Sequence, residues 1–310
     1  MKDNFDTIII GGGPAGYTAA LYICRAGLDT LLLEKMSAGG QMTLTGDIDN
    51  YPGFEEGIDG FTLGMKMQQC AERFGAKTEY AQVLSVDFSE KIKKIKTEKG
   101  DILAKTVIIA SGASPRTLGI QKEAEFIGKG VHYCAHCDGR FYKDKTVAVI
   151  GGGNSAVADA LYLSRLAKKV YLIHRRDQLR ATKIYHEPLK KADNVEFIWN
   201  STVDDFITQQ RVVGVKIKNV NSGDISELFC DGVFISIGRK PETDFVKGIL
   251  ALDENGYIIA DESTKTNIDG VYAAGDVRTK FLRQVVTAVS DGAVAASFAE
   301  EYITQNQDFF

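Results

Sequence analysis

Two cysteines separated by two residues, Cys134 and Cys137, are followed at once by Asp138 and Gly139. A C-x-x-C pair closes into a disulfide with little strain and reopens to a dithiol, and a lowered thiol pKa favours exchange. The adjacent carboxylate can supply or take the proton that thiolate chemistry requires, or it can cap a helix. A zinc half-site would need a second ligand pair, yet Cys24, Cys70 and Cys230 stand alone and no two histidines have ligand spacing. No metal is therefore expected. An inert buried pair rarely carries a flanking Asp and Gly, so a redox-active disulfide fits best. His136, between the cysteines, reads as a tuner of thiol pKa rather than a metal ligand.

A glycine-rich loop lies on each side of that pair. In the first, the apolar run from Phe5 to Ile10 ends in Gly11-Gly12-Gly13-Pro14-Ala15-Gly16, which fits G-x-G-x-x-G. Pro14 suits the first turn of a helix reaching about Arg25. A second strand, Thr30 to Leu33, delivers Glu34. Glycines let the backbone approach a pyrophosphate, the helix start offers free N–H groups, and the acid accepts ribose hydroxyls.

The second loop repeats the pattern. The strand from Lys145 to Ile150 leads into Gly151-Gly152-Gly153-Asn154-Ser155-Ala156, a helix to about Ala167 and a strand from Val170 to Ile173. The interval from Gly11 to Glu34, carried to Gly151, falls on His174, followed by Arg175, Arg176 and Arg180. A carboxylate would repel a 2′-phosphate, whereas guanidinium groups bind it bidentately, so this domain is expected to take NADPH over NADH.

At 310 residues two domains are expected. A net charge of −4 argues against a nucleic-acid or membrane-surface partner. No apolar run approaches the roughly 18 residues that span a bilayer, and the N-terminus from Met1 to Asp6 leaves no room for a signal peptide. An odd five cysteines do not resemble a secreted disulfide framework, so a cytoplasmic protein is expected. Ser37 to Gly53 reads as a polar loop over the first nucleotide site. Phe61 to Phe74 has helical spacing, with Cys70 in the core. Alternation from Val83 to Ile109 predicts antiparallel strands, with Lys91 to Lys99 a solvated hairpin face. The stretches from Ser111 to Pro115 and from Gly238 to Glu242 mark domain boundaries, which makes the second nucleotide domain an insertion on two connections. Val195 to Ile237 is again β, and Trp199, Cys230 and His186 are structural or surface residues. Near the end, Gly270 to Asp276 is an apolar strand closing on an acid, and Arg283, Gln284 and Val285 precede an alanine-rich helix.

These motifs together resemble the low-molecular-weight, bacterial-type thioredoxin reductases over essentially the whole length: Gly11–Gly16, Gly39-Gly40-Gln41, Cys-x-x-Cys-Asp-Gly, His-Arg-Arg-x-x-x-Arg, and Ala-Ala-Gly-Asp followed by Arg-Gln. The resemblance implies two Rossmann-like three-layer (ββα) α/β domains in a homodimer. FAD would sit in 1–115 with 243–310, and NADPH in the inserted 116–242. It places Gly11, Gly13, Pro14, Ala15, Gly16, Glu34, Gly39, Gly40, Gln41 and Asn50 along FAD, with Gly275 and Asp276 at its ribityl–pyrophosphate part and Arg283, Gln284 and Val285 near the ring. It gives NADPH to Gly151, Gly153, Asn154, Ser155, Ala156, His174, Arg175, Arg176 and Arg180. Cys137 would be the sulfur nearest the flavin, Cys134 the one that attacks thioredoxin, and Asp138 the acid–base residue, with the inserted domain rotating between two poses. His136 stands where Thr is commoner, which is similar to the flavoprotein subunit of alkyl hydroperoxide reductase. Rival readings are a ferredoxin-fed reductase or dithiol oxidase on the same scaffold, a redox sensor, and a nucleotide-binding module without flavin.

Overall fold

The computed structural model describes residues 4–44 and 47–306, so the first three residues of the Met1 to Asp6 stretch read as leaving no room for a signal peptide lie outside the described residues. The chain divides into two compact units, Met1–Ser114 with Lys240–Phe310, and Pro115–Arg239. The two crossings between them, Ala113–Pro115 and Arg239–Pro241, pair with each other as a two-stranded ladder.

In the first unit β1 (Asn4–Ile10) leads into α1 (Pro14–Arg25), and β2 (Thr30–Glu34) lies parallel to β1. On the other side of β1 runs β3 (Gly100–Ile109), also parallel. The antiparallel expectation holds for Val83–Asp87, Lys93–Thr97 and the first half of β3, whereas Val107 to Ile109 pair parallel with Val271–Ala273. A strand buried on both faces needs apolar residues at every position, and these strands have them. Ile8, Ile10, Leu31, Leu33, Val107 and Ile109 point into one core; Ile9, Leu32 and Ile108 point into the other, against the helices. The helix layer consists of α1, α2 (Gly60–Glu72) and the C-terminal helix Val285–Gln305. The alanine content of the last is a packing requirement: a Cβ on Gly292 would lie 2.2 Å from the Ala15 carbonyl oxygen.

One expectation fails here, and the solvated hairpin face holds for Lys91, Lys94, Lys96 and Lys99 but not for Lys93. Cys70 is exposed, because Ala71 takes the buried position on α2 and Cys70 faces outward beside Arg73 and Phe74. Lys93 is buried, since strand alternation turns Lys93, Ile95 and Thr97 inward, and its ammonium donates to the carbonyls of Phe88 and Glu90. Burial holds that amine below its usual pKa.

The second unit repeats the plan. A parallel sheet orders Val131–His132, Gly232–Ile235, β4 (Thr146–Ile150), β5 (Lys169–Ile173) and Val195–Ile198. Val147, Val149, Val170 and Leu172 pack under α3 (Asn154–Ser164), while Ala148, Ile150 and Ile173 meet the antiparallel sheet of Ser201–Thr208, Val212–Asn219 and Ile225–Phe229. Each unit is thus a parallel sheet with helices on one face and β structure on the other, as expected. Cys230 is buried, His186 bonds the Ala181 carbonyl, and Trp199 stacks on Phe197. No helix among the described residues is long and apolar enough to cross a membrane.

One buried charge cluster ties the first unit together. Asp291 accepts from Arg278 Nε and Nη2, from Lys280 Nζ and from the Gly275 N–H, each at 2.8 Å. Burial alone would raise this carboxyl, but those donors hold it below the usual carboxylate range. A depressed folded pKa gives stability that is present above the unfolded value of about 3.9 and lost as pH falls through the folded one. Asp291→Ala leaves two buried cations and should cost about 3–5 kcal/mol in urea unfolding. A loss below about 1 kcal/mol, within the range of exposed ion pairs, would show that the cluster does not hold the turn.

Candidate active site

Each glycine loop opens at the carboxyl end of its sheet, where parallel folds bind ligands. In the first unit Gly11 has φ of 111° and a Cβ there would meet the Ala110 oxygen at 2.4 Å, while a Cβ on Gly16 would lie 1.8 Å from the Gly11 oxygen. The helix therefore starts directly against the strand it leaves. Among the described residues no atom lies within 4 Å of a Cβ added to Gly13, and as N-cap of α1 it provides no side-chain bond. Pro14 begins the helix, and the N–H groups of Ala15 and Gly16 belong to its uncapped first turn.

Glu34 closes β2 with its carboxylate beside this loop, accepting from the Gly12 N–H at 2.6 Å and the Met36 N–H at 3.0 Å. Gly39 donates its N–H to the Gly12 carbonyl, Gly40 faces Gly13, and Gln41 continues the same turn, exposed. Asn50 Nδ2 donates to Gln284 Oε1, and Gln284 with Thr287 forms a capping box on the C-terminal helix that Val285 begins. Gly275, held by Asp291, starts the turn carrying Asp276, and a Cβ on it would lie 2.9 Å from Ala15 Cβ. Arg283 Nε donates to the Asp276 carbonyl, and its guanidinium lies 4.1 Å from the Tyr257 ring centroid. The residues expected along the first dinucleotide thus converge on one strand-end cradle. Its fit to such a ligand rests on the open Gly13, the uncapped helix and the carboxylate at the second strand end.

The second cradle has the same construction. A Cβ on Gly151 (φ 144°) would meet the Ser236 oxygen at 2.4 Å and Ala156 Cβ at 2.7 Å, while Gly153 is open and gives α3 no side-chain cap. Asn154 accepts from the Thr182 N–H through Oδ1, and Ser155 is exposed. His174 does not stand with the arginines on the surface. Its ring is buried under Gly152, whose added Cβ would strike the imidazole at 2.4 Å, and its Nε2 has no hydrogen-bond partner among the described residues. Burial and the neighbouring Arg176 and Arg175 push its pKa down, so the ring stays neutral. Arg175, Arg176 and Arg180 are exposed, and the Arg180 N–H is tied to the Gly152 carbonyl at 2.7 Å. Three guanidinium groups so placed suit a phosphate at the second strand end.

Cys134 and Cys137 are joined, with an S–S distance of 2.02 Å. Cys134 is the N-cap of a one-turn helix, Ala135–Asp138, and its sulfur accepts from the Cys137 N–H at 3.2 Å. Both cysteines are half-buried, which leaves them within reach of a partner. Among the described residues no group of three or more His, Cys, Asp or Glu is placed to hold a metal. His136 turns away onto Tyr162, ring centroids 4.3 Å apart, with Nδ1 3.9 Å from Asp159. Burial raises the Asp159 carboxyl, which accepts from Ser236 Oγ.

Asp138 does not cap a helix. Its Oδ2 lies 3.0 Å from His132 Nδ1, and His132 Nε2 lies 2.7 Å from the Tyr142 hydroxyl, which accepts from Arg211 Nη2 at 3.3 Å. His132 is absent from the expected site residues; only its place two positions before Cys134 pointed to it.

A family model described as pyridine nucleotide-disulphide oxidoreductase matches residues 5–292. The chain is 45% identical to the thioredoxin reductase of Peptoclostridium acidaminophilum, covering 99% of each. It superposes on the crystal structure of thioredoxin reductase from Streptococcus pyogenes MGAS5005 with a TM-score of 0.92 at 44% identity, covering 98% of this chain and 100% of that one. With the Lactococcus lactis thioredoxin reductase in its FR conformation the TM-score is 0.69 at 43% identity, over 97% and 99% of the two chains.

The two glycines of the second loop should respond differently. Gly152→Ala must displace the His174 ring and should cost about 1–3 kcal/mol in thermal or urea unfolding. Gly153→Ala, in open space, should leave stability within about 0.5 kcal/mol of the parent while weakening dinucleotide binding. Equal stability losses for the two would contradict the packing described.

Proposed function

The chain belongs to the pyridine nucleotide-disulphide oxidoreductase family, among its thioredoxin reductases, and on that premise we propose that it uses NADPH and FAD to reduce the disulfide of thioredoxin through Cys134 and Cys137. The observation that carries this reading is the half-buried Cys134–Cys137 disulfide, set in the same unit as a dinucleotide cradle edged by three exposed arginines. When bound, NADPH supplies a hydride and FAD relays its two electrons to a disulfide.

The residues of the chain bind, orient and move protons. Gly11, Gly13, Pro14, Ala15 and Gly16 cradle the FAD pyrophosphate, and Glu34 takes its ribose. Gly39, Gly40, Gln41 and Asn50 lie along it, Gly275 and Asp276 hold the ribityl–pyrophosphate part, and Arg283, Gln284 and Val285 border the ring. In the other unit Gly151, Gly153, Asn154, Ser155 and Ala156 take the NADPH pyrophosphate, His174 supports the loop, and Arg175, Arg176 and Arg180 bind the 2′-phosphate. Cys134 attacks the thioredoxin disulfide, Cys137 resolves the mixed disulfide, and Asp138 moves the proton.

The inserted unit turns as a body on its two paired connections, presenting its disulfide in one pose and NADPH in the other to the flavin. Its support is the brevity of those connections and their pairing with each other. A cytoplasmic homodimer completes the reading, since a pair that cycles between disulfide and dithiol works where thiols are kept reduced.

Cys134→Ser or Cys137→Ser should leave reduction of the flavin by NADPH intact and abolish thioredoxin turnover; retained turnover in stopped-flow and steady-state assays would remove these sulfurs from the mechanism. Arg175→Ala or Arg176→Ala should raise KM for NADPH about 10- to 100-fold, the equivalent of one charge-assisted contact, and leave KM for NADH unchanged. An equal rise for both nucleotides would assign the arginines to something other than the 2′-phosphate.

A further inference from the structure

Behind Asp138 lies a hydrogen-bonded chain whose direction is set by the carboxylate. Asp138 Oδ2 accepts from the ring hydrogen on His132 Nδ1, so Nε2 takes the Tyr142 hydroxyl proton at 2.7 Å, and that hydroxyl accepts from Arg211 at 3.3 Å. Burial pushes the Tyr142 phenol up to about 12, which keeps that proton in place. Nδ1 of the ring lies 3.0 Å from Asp138 Oδ2. The imidazole is clamped between Phe234, stacked at 5.2 Å, and Tyr142, edge-on at the same separation. It is 7% exposed, and the Asp138 side chain 13%. The titratable and charged groups around it are Asp138 from the one-turn helix, Tyr142 from the turn Gly139–Tyr142, Arg211 beyond Tyr142, and the buried thiol of Cys230 near that phenol.

We propose that His132 is a positioning residue for Asp138: its Nδ1–H holds Oδ2 and leaves the other carboxylate oxygen to exchange the proton with the dithiol. This rests on the thiol–disulfide reading given above and deepens it. In the exchange the Cys134 and Cys137 thiols become a disulfide while the partner's disulfide becomes two thiols. Two electrons pass from one sulfur pair to the other, and two protons must make the same journey. Cys134 attacks as a thiolate, so its proton has to leave before the new S–S bond forms and a proton has to reach the departing partner sulfur afterwards. Asp138 takes the first proton on the carboxylate oxygen that His132 does not hold and gives it back when the partner thiolate leaves; the Nδ1–H on Oδ2 keeps the carboxyl in one orientation through both transfers.

The test compares His132→Asn with His132→Leu in the holoenzyme, measuring kcat/KM for thioredoxin against pH, NADPH reduction of the flavin, and thermal unfolding. Asn retains an N–H donor toward Asp138; Leu does not. Leu should lower kcat/KM for thioredoxin by about tenfold or more and change the pH profile, with flavin reduction unaltered, because general acid–base groups contribute on the order of 10²–10⁴, and Asn should stay nearer the parent in both. In an Asp138→Asn background, His132→Leu should add little further loss. Should either substitution prevent folding, Tyr142→Phe keeps the ring packing, removes the donor to Nε2, and should move the same inflection. A parental pH profile in His132→Leu, or in Tyr142→Phe, overturns the proposal. If Asp138→Asn itself leaves thioredoxin turnover untouched, the acid–base reading of Asp138 fails instead, which is a separate result.

Discussion

In both units the chain leaves a buried strand, turns, and starts a helix that lies back against the strand it has just left. That close approach is the constraint on which the rest depends. A single Cβ on Gly16 would sit inside the Gly11 carbonyl, and one on Gly151 would meet both Ser236 and Ala156. Only glycine fits, and the backbone so compressed presents the first-turn N–H groups of an uncapped helix at the carboxyl edge of the sheet. An anion placed there is met by backbone dipoles that need no reorganisation. The residue ending the next strand is then automatically beside it. Glu34 in one unit and the His174–Arg176 segment in the other occupy that same topological position.

The two cradles differ in what surrounds them. Around the first, Asp291 draws Arg278, Lys280 and the Gly275 N–H into one buried cluster, which pins the turn that carries Asp276. Around the second, the ring of His174 fills the space under Gly152, and three exposed arginines edge the loop. The dithiol stretch has its own asymmetry. One histidine, His136, is turned outward onto Tyr162, while His132 is turned inward onto the carboxylate next to Cys137. The chain thus sets one imidazole against the carboxylate beside Cys137 and turns the one between the cysteines away from it.

Local signals carried most of the fold. Apolar runs bounded by glycine, an Ala-rich helix and the repeat of strand, turn, helix and strand are visible because their causes lie within a few residues of one another. What stayed hidden was decided by distant neighbours. Helical spacing does not say that Ala71 rather than Cys70 meets the core. A run of lysines does not reveal that strand pairing turns Lys93 inward onto the carbonyls of Phe88 and Glu90. The pairing of His132 with Asp138 depends on a strand end meeting a one-turn helix, and the ring's other partner, Tyr142, is held by Arg211, far along the chain. The role of His174 was read from its register position, which cannot tell a ring under a loop from one beside a phosphate.

The central claim is that reducing equivalents enter at the arginine-edged cradle and leave through Cys134 and Cys137. It is tested most directly by anaerobic titration of the oxidised, flavin-loaded protein with NADPH, followed by addition of oxidised thioredoxin. The account predicts uptake of about two hydride equivalents per bound flavin, one for the flavin and one for the two-electron disulfide couple, and their return as thioredoxin thiols. Uptake that stops at about one equivalent, with no thiols appearing on thioredoxin, would contradict it.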